Sequence, residues 1–314
     1  MTPTRRRFIK IAAVQSAALA AASQASVFGT AHSKALHPWR GIVLGAEASI
    51  QLNCDSEKRA KRVLKTCVSE IQRLETIFSL YDERSSLSQL NKEKRLKQAP
   101  AELLELLRFA QEFGAQSQGI FDVTIQPVIQ AYREHFARHD SGLPANLSQA
   151  LKSVDYRKIR ITADTIEIPA TVSITLNGVA QGYITDKIAA LLREEGFGHT
   201  LIDLGEKRAL DSHPSGRNWQ LGLANGFGIH DVAELNNQAL SSSGGYGTTF
   251  DKSGQHHHLI DPRNGLSANH HASVHVLASD ATLADALSTA LATCSREEAK
   301  QLEAKFPAAT VFRS

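Results

Sequence analysis

Asp285 and Thr289 lie four residues apart in the segment LADALSTA, whose apolar pattern predicts a helix. This spacing places a carboxylate and a hydroxyl on one helical face, one turn apart. Both groups offer oxygen ligands to Mg²⁺, which binds few protein atoms and completes its shell with water and phosphate oxygens. The same two residues have an explanation without a metal: Asp285 could be an acid placed favourably near a helix N-terminus, and Thr289 a hydroxyl buried in the helix. The metal interpretation therefore depends on polar segments elsewhere in the chain.

One such segment is NGVAQGY, residues 177–183. Gly178 and Gly182 permit close approach of another backbone. A helix predicted for residues 182–195 would direct its amide groups and its positive end at a phosphate. An ordinary strand-to-helix turn explains the glycine pair equally well, so the segment indicates phosphate binding only together with the candidate metal ligands.

Another segment, HHHLIDPRNG, spans residues 256–265 and contains three consecutive histidines. Imidazole titrates near working pH and could take the proton of a hydroxyl nucleophile. In a strand over residues 257–260, His256 and His258 would share one face and His257 would point to the other. An exposed histidine-rich turn is the alternative for His256. A transition-metal site lacks the cysteines or the spaced carboxylate–histidine pattern that it needs.

The first 30 residues predict a twin-arginine export signal. Arg5 and Arg6 precede an apolar run over residues 11–22, and small residues follow it. A retained membrane anchor is the alternative, although the run is shorter than the ~20 residues that a span needs. A small-residue linker is predicted for residues 26–39, so it starts within the first 30 residues, and a single domain is predicted for residues 31–314.

Charge and cysteine content argue against a nucleic-acid-binding protein and against a protein held together by disulfides. The chain has 35 basic and 32 acidic residues, and four of the basic ones lie within the predicted signal. The exported chain is therefore nearly neutral, and no nucleic-acid partner is expected. Three cysteines without a CxxC pair do not predict a disulfide framework.

The remaining pattern predicts an α+β fold: one catalytic domain with mixed helices and antiparallel strands and without strict β-α alternation. Apolar periodicity predicts helices over residues 57–78, 124–136 and 182–195, and others that start near residues 100, 283 and 296. Alternation predicts strands over residues 46–52, 158–168, 172–176, 199–204, 219–223, 239–242, 257–260 and 272–277.

Seven segments, in this order, resemble the ApbE-type FAD:protein FMN transferases, and they cover most of the chain beyond the signal. The resemblance implies a T-fold-related domain that binds FAD and Mg²⁺. It also implies transfer of FMN, through its phosphate, to a threonine or serine of a membrane or periplasmic flavoprotein, with release of AMP. The segments are WRGIVLGAEASI, FSLYDERSSLSQLN, GIFDVTIQP, LNGVAQGYITDK, SSSGGY, HHLIDPRNG and ADALSTA.

The resemblance also assigns individual residues. It adds the main-chain carbonyl of Ala180 to Asp285 and Thr289 as a metal ligand. It selects His258, three residues before Asp261, as the base and as part of the flavin site. Gly178 and Gly182 would contact the nucleotide.

Two further residues are candidates for the flavin site. Tyr81 could stack on the flavin or the adenine ring, although a core aromatic at a helix end is nearly as compatible with the sequence. Asp122, in the segment FDVT, is interpreted first as a helix N-cap in the wall of the site and second as a ligand.

The chain departs from the family pattern at four positions. Gln181 stands where the family prefers lysine, which removes a positive charge from the nucleotide site. Glu206 and Lys207 follow Asp203-Leu204-Gly205 where the family has glycine and an acid, and Asn264 replaces a threonine. These departures affect the expected affinity for FAD.

Two other functions remain open. A hydrolase could split FAD into FMN and AMP with water as the nucleophile. A periplasmic flavin-binding protein could hold FAD without turnover.

Overall fold

The structure is a computed structural model, and it describes residues 35–314. The predicted export signal lies outside the described residues. The strands are β1 (Ala35–Val43), β2 (Ala46–Cys54), β3 (Arg95–Leu96), β4 (Arg160–Ile161), β5 (Ile166–Glu167), β6 (Thr200–Asp203), β7 (Lys207–Leu210), β8 (Trp219–Ala224), β9 (Ile229–Leu235), β10 (Ala239–Ser243), β11 (Val274–Ala278) and β12 (Thr310–Arg313). The α-helices are α1 (Glu57–Phe78), α2 (Ser86–Glu93), α3 (Ala101–Gln116), α4 (Gln126–Phe136), α5 (Leu147–Leu151), α6 (Ala180–Glu194), α7 (Ala281–Thr293) and α8 (Arg296–Glu303).

A seven-stranded sheet is the centre of the fold, in the order β1-β2-β6-β7-β10-β11-β12. Every neighbouring pair in it is antiparallel. The predicted α+β class with antiparallel strands is therefore confirmed.

Side chains alternate between the two faces of this sheet, as a strand requires. On β11, Val274 and Val276 belong to the large core beneath the helices, whereas Leu277 belongs to a second cluster. The second cluster packs the β8–β9 hairpin, through Trp219 and Leu235, against the opposite face. The helices that carry the candidate site thus rest on one face of a sheet that is covered on both.

Helix α1 shows how sequence pattern produces these elements. The Ser56 hydroxyl accepts a hydrogen bond from the Arg59 amide at 3.3 Å and caps the helix start. Its apolar residues recur at helical spacing and are buried on one face. The helix predicted for residues 57–78 is confirmed.

The three cysteines, Cys54, Cys67 and Cys294, are free and buried. The fold is therefore not held by a disulfide framework, as expected from the sequence.

Several local predictions are wrong. Strand β1 begins at Ala35, so the end of the predicted linker over residues 26–39 is part of the sheet. Residues 172–176 form no strand, and residues 158–168 contain only the two-residue strands β4 and β5. Residues 257–260 form isolated bridges, Thr249 to His257 and Ile260 to Ser267. These segments have strand-like composition, but no neighbouring strand lies beside them along their length.

Among the helices of residues 35–314, none combines the length and the apolar character that a bilayer span requires.

Candidate active site

The candidate metal ligands lie where the start of α6 packs on α7. Gly182 allows this contact, because a Cβ atom there would collide with the Ala281 carbonyl oxygen and lie 2.9 Å from the Asp285 Cβ. The Gly182 amide donates a hydrogen bond to Asp285 Oδ2 at 3.0 Å. The glycine is therefore needed for helix packing and for orienting the carboxylate, a structural reason that the sequence pattern did not reveal.

Asp186, on α6, fixes the register of the two helices. Its carboxylate accepts hydrogen bonds from the amides of Ala281 and Thr282 at 2.8 Å each, in the first turn of α7. Asp280 caps the same turn by accepting from the Leu283 amide at 2.9 Å. Asp186 was not identified from the sequence. It holds α7 so that Asp285, one turn further on, faces Gly182.

Asp285 is a buried carboxylate with one free oxygen. Oδ2 accepts from Gly182, whereas Oδ1 accepts no hydrogen bond from any residue in the described part of the chain. Burial raises the pKa of Asp285 to about 7, although the Gly182 amide opposes that rise. A buried anion of this kind is stabilised by a cation.

Thr289 completes the predicted pair on α7. Gly178 lies directly against it, since a Cβ atom on the glycine would be 3.1 Å from the Thr289 hydroxyl oxygen. Ala180 lies between the two glycines, in the first turn of α6. The structure thus brings together Gly178, Ala180, Gly182, Asp285 and Thr289.

These residues fit Mg²⁺ better than a soft transition metal. No group of three or more histidine, cysteine or acidic side chains with metal-site geometry occurs in residues 35–314. An ion at Asp285 would take its other ligands from a hydroxyl, main-chain carbonyls, water and substrate phosphate, which is the Mg²⁺ pattern.

Phosphate binding at the start of α6 stays a prediction, but two of the amides there are bonded within the protein. The Ala180 amide donates to the Leu176 carbonyl at 2.7 Å, and the Gly182 amide is held by Asp285. These donors are therefore not free for a phosphate. The positive end of the helix dipole remains beside the metal ligands.

Glu206 is a second buried carboxyl at this site. It is 7% exposed, and burial together with the negative charge of Asp285 raises its pKa well above the usual range. The negative charge of Asp285 thus disfavours ionisation of Glu206, and a cation at the site would favour it. The sequence marked Glu206 only as a departure from the family pattern, because nothing in the chain order places it beside Asp285.

Gln181 lies against the turn that precedes Glu206. A Cβ atom at Gly205 would be 2.5 Å from Gln181 Nε2, and Gly205 has a φ of +100°, a backbone conformation that favours glycine. The departures at Gln181 and Glu206 are thus neighbours in space. Together they place an amide and a buried carboxyl at this end of the site and no lysine.

The FDVT segment forms a wall beside the glycine turn. Phe121 Cε2 would be 3.5 Å from a Cβ atom at Gly178. Asp122 accepts hydrogen bonds from the Thr124 amide at 2.8 Å and the Tyr156 amide at 2.9 Å. The N-cap prediction for Asp122 is confirmed, and both of its oxygens bind the protein itself. Its contact with a flavin stays a prediction.

His258 lies on a different segment from the metal ligands. Its Nδ1 is 3.1 Å from the Thr248 carbonyl oxygen. Since a carbonyl only accepts, Nδ1 carries the proton and Nε2 keeps a free lone pair. Burial lowers the pKa of His258 to about 4, so the ring is neutral at working pH. Nε2 can therefore accept a proton, although no described contact joins His258 to Asp285 or Thr289.

The neighbouring histidines have different surroundings. His256 Nδ1 is 2.8 Å from Asp251 Oδ2, and its ring packs on Phe136 of α4. His257 is 3% exposed, and its Cδ2 would be 2.6 Å from a Cβ atom at Gly245. Of the three rings, His257 is thus held in the core, and His256 is paired with an acid.

Tyr81 is 66% exposed, on the link between α1 and α2. The core-aromatic alternative for Tyr81 is therefore wrong, and its stacking on a flavin or adenine ring stays a prediction.

Comparison with known proteins gives three findings. The sequence profile of the ApbE family matches residues 44–312. The chain is 27% identical over 246 residues to a FAD:protein FMN transferase of Haemophilus influenzae, covering 73% of this chain and 71% of that protein. It is 28% identical over 264 residues to one of Treponema pallidum, covering 76% and 72%.

Solved structures agree on the fold. The crystal structure of the apo form of the Pseudomonas stutzeri flavinyl transferase ApbE superposes with a TM-score of 0.78 at 22% identity, covering 90% of this chain and 91% of that one. This likeness shows that the two chains share one fold.

Proposed function

The chain belongs to the ApbE family, and we propose that it is a Mg²⁺-dependent FAD:protein FMN transferase. A threonine or serine hydroxyl oxygen of a partner flavoprotein forms a bond to the phosphorus of the FMN half of FAD. The bridging P–O bond breaks, and AMP leaves. The names of the relatives in Haemophilus influenzae and Treponema pallidum support FAD as the donor.

The observation that carries this proposal is the placement of Asp285 and Thr289 against the glycine turn of residues 178–182. Asp285 Oδ1, the Thr289 hydroxyl and the Ala180 carbonyl would hold Mg²⁺. The bound ion would neutralise charge on the pyrophosphate. Asp186 and Gly182 keep the carboxylate oriented before substrate binds, because they fix α6 on α7.

His258 has the role of general base. The hydroxyl proton of the acceptor passes to Nε2 as the oxygen attacks phosphorus. Thr248 keeps Nδ1 protonated and thereby fixes the tautomer. The nucleophile belongs to the partner flavoprotein, so a productive complex must bring an acceptor hydroxyl between His258 and the flavin phosphate.

One experiment separates transfer from the two alternatives. The purified protein is incubated with FAD, Mg²⁺ and a peptide that bears a candidate acceptor threonine. The same peptide with alanine in place of threonine is the matched control, and a chelator replaces Mg²⁺ in a third arm. Mass spectrometry of the peptide and chromatography of the nucleotides report the products.

Each function gives a different result. Transfer gives flavinylated threonine peptide and an equal amount of AMP, and the alanine peptide and the chelator abolish both. FAD hydrolysis gives free FMN and AMP whichever peptide is present. A binding protein leaves FAD intact. Either of the last two results would overturn the proposed transferase.

We also propose that the protein is exported to the periplasm by the twin-arginine route, because Arg5 and Arg6 precede a weakly apolar run. Replacing both with lysine should leave the precursor in the cytoplasm, as measured by fractionation and immunoblotting. Replacing Arg7 alone with lysine is the matched control and should not affect export. Normal periplasmic accumulation of the double variant would contradict the assignment.

A further inference from the structure

A cavity of about 540 Å³ lies between α3, α6, β7 and the start of α7. None of the residues assigned to the metal, the flavin or the base lines it. Apolar side chains form part of its wall, among them Phe109, Ala190 and Leu210. The volume is in the range of sites that bind small molecules.

Most charged groups around this cavity are neutralised by the protein. Lys187 Nζ lies 3.0 Å from the Glu105 carboxylate. Arg193 donates two hydrogen bonds of 2.7 Å to the Asp211 carboxylate. The Asp186 carboxylate binds the first amides of α7. These groups need no ligand.

Arg208 is the exception. Its only described hydrogen bond runs from Nη1 to the carbonyl of its neighbour Ala209, at a weak 3.4 Å, and it forms no ion pair with any residue from 35 to 314. It lies on β7, in the interior of the sheet, and it faces the cavity. Burial lowers the pKa of this guanidinium. The protein therefore keeps a half-buried cation most of whose donors are not used.

The charges of Asp186, Asp280 and Asp211 favour the charged guanidinium, whereas burial opposes it. Within residues 35–314 none of these carboxylates forms an ion pair with Arg208. Asp186 accepts from the first amides of α7, and Asp280 accepts from the Leu283 amide and the Ser279 hydroxyl. The Arg208 donors are therefore available to a group from outside the chain.

We propose that this cavity binds a small organic carboxylate with an apolar or aromatic body, and that Arg208 pairs with the carboxylate. The planar guanidinium matches the two oxygens of a carboxylate, and the apolar wall receives the body of the ligand. The carboxylates of Asp186 and Asp280 lie on the same wall and repel multiply charged ligands such as nucleotides. The site is thus distinct in chemistry from the FAD site.

Binding is tested on the purified protein with phenylacetate, benzoate and octanoate as probes, by titration calorimetry and ligand-observed NMR. Phenylacetamide is the neutral control, and phenyl phosphate is the dianionic control. We expect at least one carboxylate to bind more tightly than either control. Arg208→Gln should weaken that binding by about tenfold or more. Arg193→Gln, which removes a paired arginine of the same cavity, should change it far less.

Three results would overturn the proposal: no carboxylate binds at millimolar concentration, phenylacetamide binds as tightly as phenylacetate, or Arg208→Gln binds like the unaltered protein.

Discussion

The metal ligands and the base lie in regions that are built differently. The α6–α7 junction, formed by residues 178–182 and 285–289, consists of two regular helices in close contact. The histidine loop, residues 244–265, contains one short 3₁₀ turn (Gly245–Gly247) and isolated bridges. In the junction, Gly182 leaves no room for a side chain. In the loop, Gly245 is packed closely by His257, but at Gly247, beside His258, a Cβ atom would meet no atom nearer than 3.6 Å.

This difference matches what each region must do in the proposed reaction. A metal ion requires fixed ligands, and two packed helices supply them before substrate arrives. The base must meet a hydroxyl that belongs to another protein, so its surroundings need to admit a foreign segment. The following predictions test this contrast, from the largest expected effect to the smallest.

Asp285→Ala should abolish transfer. The ion contributes several kcal/mol to charge stabilisation, equivalent to about a thousandfold or more in rate, and Asp285 is its only proposed anionic protein ligand. Asp285→Asn is the matched control, because it keeps an acceptor for the Gly182 amide and removes only the charge. Calorimetric titration with Mg²⁺ and the transfer assay should show the same loss in both variants. Normal Mg²⁺-dependent transfer by either would refute the metal assignment.

His258→Ala should slow transfer roughly 10²–10⁴-fold, the usual contribution of a positioned base. FAD affinity should change much less, because the proton moves only on the way to the transition state. The transfer rate and FAD affinity are measured for each variant. His257→Ala is the control. It should affect the rate less and stability more, since His257 is buried against Gly245. A defect of His258→Ala that lies wholly in FAD binding would make His258 a wall of the pocket.

The two regions also differed in how far the sequence predicted them. In the junction, Asp285 and Thr289 lie one turn apart in helix α7, as their four-residue spacing predicts. Such a prediction is possible because helical periodicity is a local property of the sequence. The role of Gly182 in helix packing and the position of Glu206 beside Asp285 depend on contacts between residues distant in the chain. Periodicity carries no information about such contacts.

In the histidine loop, the alternating composition of residues 257–260 predicted a strand. Strand formation requires a partner along its whole length, and here only single bridges form. The three rings nevertheless have different surroundings: His256 packs on Phe136, and His257 is buried against Gly245. The charge state of His258 could not be predicted, since burial in the folded protein lowers its pKa and the Thr248 carbonyl only partly opposes this.

Gly182→Ala should destabilise the fold by about 1–3 kcal/mol, the usual effect of overpacking. The added methyl group would meet the backbone carbonyl of Ala281, which cannot move unless α7 shifts. Gly247→Ala, in the open histidine loop, should change stability by no more than about 0.5 kcal/mol. Denaturant unfolding of both variants provides the measurement. Equal midpoints would show that the junction is no tighter than the loop.

The pH dependence should also separate the two regions. Metal binding requires Asp285 to lose its proton, and its pKa is about 7 in the protein without an ion. Mg²⁺ affinity should therefore fall about tenfold per unit as pH drops below 7.

His258, with a pKa lowered to about 4, stays neutral over the same range. At saturating Mg²⁺ the transfer rate should then change less than about twofold between pH 7.5 and pH 5.5. With an ordinary histidine pKa of about 6.5, only about one tenth of the rings would be neutral at pH 5.5, and the rate would fall accordingly. Calorimetry and single-turnover assays across this range measure the two responses. A tenfold loss of rate would show that His258 is solvated like a surface histidine, and a constant Mg²⁺ affinity would show that Asp285 does not bind the ion.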